Sequence, residues 1–237
     1  MQLGPLDYCF WTAGFLAEAY VVVCALYKRH LFSYLSLNFY MLAVACVNAG
    51  EFWVLHKHGF TSPEYCYFYY YTDCLLTLLL FFVVMSLYER VFSEMGASKY
   101  VRAGAAMLLG GTACFSLMVV HHQMAVYQNL YSLTGRFVLE LGQNLYFVGV
   151  VLTYLLWFAV MKLRETRTRL VQLVLALGVY FSASAAMYAL RNLFPQFSFL
   201  KVIPPLINLW LPLAWGYTFT RVPEGARLAT ARLARSS

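Results

Sequence analysis

Continuous apolar runs separated by short polar breaks recur seven times along the chain, over residues 6–27, 33–55, 67–88, 103–121, 137–161, 170–190 and 198–220. Each is close to the ~20 residues that a helix needs to cross the ~30 Å hydrocarbon core of a bilayer. The breaks are polar or turn-forming: Lys28-Arg29-His30, His56-Lys57-His58-Gly59, Glu89-Arg90, His121-His122-Gln123, Lys162-Leu163-Arg164, Arg191-Asn192 and Arg221-Val222-Pro223. A membrane barrel would alternate apolar and polar residues, and these runs do not. The pattern predicts an all-α polytopic membrane protein with seven transmembrane helices.

Composition narrows the class. Of 237 residues, 62% are apolar and 11% charged, which excludes an ordinary soluble domain, a disordered chain and a basic nucleic-acid module. Lys and Arg number 17 against 10 Asp and Glu, a net charge of +7. Placement gives that charge its meaning, because cytoplasmic loops retain Lys and Arg. Thirteen of the 17 fall on one side of the seven runs and four (Lys57, Arg136, Arg191, Lys201) on the other, so the N-terminus is expected outside and the C-terminus inside. Residues 1–220 then form one bundle and 221–237 a basic cytoplasmic tail. The first run lacks a basic lead segment and is read as a retained span in what is most simply a bacterial inner membrane. Six cysteines show no CxxC pair. Only Cys9 and Cys66 are placed near outer helix ends, where a disulfide is conceivable.

Charged residues inside the runs carry the candidate chemistry, since a charge at mid-bilayer costs at least ~2.5 kcal/mol and needs a protein partner or water. Glu51, Asp73, Glu140 and Lys201 fall in the outer half of their spans, and Glu18 alone lies near the midplane. His121, Arg136 and Arg191 reach the same outer level. Arg136, Glu140 and Asn144 recur at i, i+4 and i+8 and share one helical stripe. These residues predict a polar pocket open to the outer face, formed by Glu51, Asp73, His121, Arg136, Glu140, Asn144 and Lys201. The same groups could instead be interhelical ion pairs that fix register.

Two further features stand out. Tyr65-Cys66-Tyr67-Phe68-Tyr69-Tyr70-Tyr71 opens the third run and reads as an interfacial aromatic belt, or else as an aromatic wall above Asp73. Pro204, Pro205 and Pro212 are expected to kink the seventh run. Gly110-Gly111 in the fourth reads as a close-packing or flexible point between helices.

Other chemistries find no support. Adjacent His121 and His122 diverge by about 100° on a helix, and no HxxxH or HExxH supplies two metal ligands on one face. Lys201 is too shallow, and its setting too unlike the motif, for the retinal lysine of microbial rhodopsins. Nucleophile triads, phosphate loops and nucleic-acid motifs are absent as patterns. The expectation is therefore a non-enzymatic sensing or small-ligand-binding module without metal or cofactor. Its partners would be the lipid bilayer, an unknown small ligand, and a membrane or cytoplasmic protein that receives the signal. Alternatives are a proton-coupled transporter using Glu18, and an accessory subunit of a membrane complex.

Overall fold

The computed structural model describes residues 5–27, 34–59, 62–92, 98–126, 133–162, 168–194 and 203–223. Nearly all of them lie in seven α-helices: α1 (Pro5–Tyr27), α2 (Leu35–His58), α3 (Pro63–Phe92), α4 (Ser98–Val126), α5 (Leu133–Lys162), α6 (Thr168–Leu193) and α7 (Ile203–Arg221). Helix is the expected outcome where hydrocarbon offers no partner to a backbone N–H or C=O, because it satisfies both within one segment. Five helices, α2 to α6, are long and apolar enough to cross a membrane, which marks the chain as a membrane protein. Helix α1 has its apolar core over Trp11–Cys24. Helix α7, 19 residues long, reaches about 28 Å at ~1.5 Å per residue.

Local chemistry sets the ends. Helix α2 stops at Gly59, whose φ of 82° is easy only for glycine and whose N–H closes on the Leu55 carbonyl. Three residues later Ser62 caps α3, its Oγ accepting the Tyr65 N–H at 3.1 Å, with Pro63 in the first turn where a missing N–H costs nothing. Pro204 and Pro205 sit in the first turn of α7, and Pro212 lies inside the helix, where its missing N–H leaves the backbone bond four residues back unmade.

The helices pack up and down. Glu18 meets Asn48 and Trp11 meets Phe52, which makes α1 and α2 antiparallel; Gly14 lies beside Leu209 and Gly216 beside Tyr20, which makes α1 and α7 parallel. Contacts run α1–α2–α3–α5–α6–α7 and back to α1, closing a ring of six, while α4 packs outside it on α3 and α5. Buried Phe81, Phe181, Trp215 and Phe219 fill the ring. Large apolar side chains such as Trp53, Phe82, Met118, Phe158 and Leu213 point outward, the arrangement lipid requires.

Close approach depends on one glycine in particular. A Cβ on Gly149 of α5 would overlap the Phe181 ring of α6, so this crossing admits only glycine. The expected packing role of Gly110 and Gly111 is not met, because a Cβ at either would find open space within this chain. At the opposite end from the start of α1, buried Arg169 at the start of α6 donates through Nε and Nη2 to the Val222 carbonyl at 3.1 and 2.7 Å and lies over the Phe219 ring. It ties α6 to the end of α7, where the helix dipole favours a cation.

Gly149→Ala is expected to cost about 1–3 kcal/mol through overpacking against Phe181. Gly110→Ala, facing open space, should leave stability unchanged or slightly raised. Thermal unfolding of both proteins in detergent, followed by circular dichroism, checks the contrast.

Candidate functional site

The polar residues of the spans sort into two groups. The first lies inside the ring. Glu18, only 3% exposed, accepts both of its hydrogen bonds from Asn48 Nδ2, each at 2.8 Å. Glu51, one turn further along α2 on the face that carries Asn48, is within electrostatic reach of Glu18 and of Asp73 on α3. Asp73 in turn accepts the Tyr188 hydroxyl of α6 at 3.2 Å. Three carboxylates from three helices thus share one neighbourhood, and none has an ion-pair partner among the described residues.

Tyrosines carry this neighbourhood across the bundle. The Tyr188 ring is 5.4 Å from that of Tyr146 on α5, and Tyr146 is 6.4 Å from Tyr180 on α6. The Tyr180 hydroxyl donates to Asn208 Oδ1 of α7 at 3.4 Å and lies beside Tyr40 of α2 and Ser184. Tyr40, Tyr146 and Tyr180 are all at least nine-tenths buried. Aromatic rings supply the apolar bulk that packs such an interior, and their hydroxyls supply the polar contacts.

The second group lies where α4 ends and α5 begins. His121 is exposed; Arg136 and Glu140 are half-buried one turn apart on α5. Arg136 is itself engaged, whereas Glu140 has no hydrogen bond or ion pair among the described residues. Asn144, two turns on from Arg136, donates to Ser116 Oγ at 2.9 Å and so serves as a tie between α5 and α4. Ser116 in turn donates to the Thr112 carbonyl, and Thr112, Ser116 and Val120 form the buried stripe by which α4 attaches. Lys201 and the side chain of Arg191 lie outside the described residues. Of the seven residues expected to converge, Glu51 and Asp73 come within electrostatic reach of each other, while Asn144 turns to α4 instead.

Tyr69 and Tyr70 are 40% and 37% exposed, and Tyr69 is also within electrostatic reach of Tyr188. Cys9 and Cys66 are both exposed and free. Among the described residues no group of three or more His, Cys, Asp or Glu could hold a metal ion. A crevice of about 220 Å³ between α6 and α7, lined by Val179, Tyr180, Ala183, Leu206, Ile207 and Trp210, is almost wholly apolar and suits a hydrocarbon chain better than a polar ligand.

Reading the sequence missed the interior tyrosines, and one signal could have found them: Tyr180, Ser184 and Tyr188 recur at i, i+4 and i+8 on α6, the spacing that singled out Arg136, Glu140 and Asn144 on α5. No family model, no curated protein and no solved structure matches this chain.

Removing the Asn48 amide strands a buried carboxylate. Asn48→Ala is expected to cost about 1–3 kcal/mol. In a double-mutant cycle with Glu18→Gln, read from unfolding in detergent, the two sites should couple by about 0.5–3 kcal/mol; additive effects would show the bond contributes nothing.

Proposed function

We propose that this protein is a seven-span membrane module, N-terminus outside and C-terminus inside, that binds a small ligand at the carboxylate layer of Glu18, Glu51 and Asp73 and passes its occupancy to a partner protein. A bacterial inner membrane is the setting we propose, supported by the gathering of Lys and Arg on one side of the seven runs. The observation that carries the reading is that Glu51 of α2 lies within electrostatic reach of both Glu18 of α1 and Asp73 of α3, with no ion-pair partner for the three among the described residues. Ion pairs that merely fixed helix register would bring opposite charges together. Uncompensated like charges inside a bundle instead leave a place for something positive, and intramembrane carboxylates commonly mark ligand, ion or proton sites.

The ring of six helices supports a route for the signal. The site draws on α1, α2, α3 and α6, and Asn208 continues its contacts to α7, whose far end is held by Arg169 next to the basic tail. Arg136, Glu140 and His121 form a second polar patch at the outer lip between α4 and α5, where an incoming ligand would first meet protein. A proton-coupled transporter is the second reading, favoured by Glu18, a deeply buried carboxylate near the middle of its span.

In protein lacking the exposed Cys9 and Cys66, cysteines placed at 51 and 73 should react with a membrane-impermeant thiol reagent added from outside, faster than a cysteine at lipid-facing Leu75. Labelling only from the side of the C-terminal tail would overturn the orientation. No labelling from either side would reduce the carboxylates to packing elements.

A further inference from the structure

We propose that the occupant of this site is a proton: Glu18, Glu51 and Asp73 form a proton-uptake site, and the hydroxyls of Tyr188, Tyr146, Tyr180 and Tyr40 continue it through the interior of the bundle. The proposal rests on the binding reading above and replaces an unspecified small ligand with one that needs no cavity.

Charge and space lead to the same species. Glu51 lies within electrostatic reach of both Glu18 and Asp73, so as an anion it is repelled by each, and hydrocarbon around the bundle penalises every charge further. Something positive must reduce that charge. An organic cation or a hydrated metal ion would need an enclosed volume lined by the carboxylates. Among the described residues no group of three or more His, Cys, Asp or Glu could hold a metal ion. A proton needs neither.

The groups facing the three acids agree. Asn48 and Tyr40 come from α2, Tyr65 and Cys74 from α3, Tyr146 from α5, and Tyr180 and Tyr188 from α6. All are neutral hydrogen-bonding groups, and no Lys, Arg or His among the described residues joins them.

An independent observation lies at the inner end of the string. Trp215, fully buried, stands edge-on to the Tyr40 ring at 6.1 Å, and its indole N–H has no acceptor. A buried donor left unmatched is costly, and an internal water is the usual remedy. That position, one residue beyond the tyrosine string, marks where water would complete the path.

Chemically each transfer is simple. One O–H bond breaks as another forms on the next oxygen, the oxygen left behind keeps the bonding pair, and no electron changes hands. A proton arriving on Glu51 can pass to Asp73, which then no longer needs the Tyr188 hydroxyl as a donor and frees that hydroxyl to turn toward Tyr146. Proton uptake would thereby loosen the hydrogen bond by which Tyr188 of α6 holds Asp73 of α3.

Infrared difference spectroscopy of the full-length protein in lipid vesicles, stepped from alkaline to acid pH, tests this. The wild-type protein should show a protonated-carboxyl C=O band that disappears on acid-to-alkaline reversal. Asp73→Asn should remove part of that band, and Tyr188→Phe should shift its frequency by removing a hydrogen bond, with helix content unchanged by circular dichroism. Glu89→Gln, at the exposed ion pair with Arg102, is the control and should leave the band intact. If the wild type shows no such band, or if both interior variants leave it unaltered, the proton proposal is overturned. Because cysteine labelling at 51 and 73 reads access rather than protonation, the binding reading can survive that result, and the band can persist where labelling fails.

Discussion

A carboxylate surrounded by hydrocarbon has to receive its hydrogen bonds from the protein, and Glu18 places that requirement near the middle of α1. Asn48 meets it with two bonds at 2.8 Å, which sets how α1 slides against α2. Once Asn48 faces the interior, Glu51, three residues on, faces the interior as well. It then lies within electrostatic reach of Asp73, and Asp73 accepts from Tyr188 on α6, two places further round the ring. The polar interior is thus propagated from one obligation, helix by helix.

Helix α4 shows the same constraint from outside. Having no group that the interior needs, it attaches to α3 and α5 by a narrow stripe of Thr112, Ser116 and Val120, and offers the rest of its surface, including Met107 and Met118, to lipid. Its glycines consequently face open space. The contrast with Gly149 is instructive: both helices carry small residues, but only in α5 does a neighbour's ring occupy the room they leave. The two ends of the bundle also differ in sign, with acids toward the start of α1 and the Arg169 clasp on Val222 toward the tail.

Much of the fold was legible beforehand because lipid imposes one rule on every span. The expected run 6–27 became α1 at Pro5–Tyr27, and 170–190 became α6 at Thr168–Leu193. Helices α3, α4 and α5 run longer than their apolar runs, since a helix continues past the hydrocarbon wherever no proline or glycine stops it; α3, with 30 residues, reaches about 45 Å. The site was legible only in part. Glu18, Glu51 and Asp73 were visible as charges out of place in apolar runs. Asn144 was grouped with Arg136 and Glu140 by its spacing, yet its side chain turns to Ser116 of α4, a choice that depends on which neighbour α5 meets. Buried tyrosines escaped notice because a tyrosine in a span is usually explained by the interface, as Tyr67 to Tyr71 are.

The amino-acid order determined that there would be seven apolar helices, roughly where each would begin and end, and which side would carry the basic loops, because those follow from transfer of single residues between water and lipid. Which helices touch, which acids share a neighbourhood, and that Tyr188 answers Asp73 across a separation of 115 residues were decided only by tertiary packing. Periodicity assigns a residue to a face, but the identity of the face opposite depends on how six helices close into a ring and leave the seventh outside.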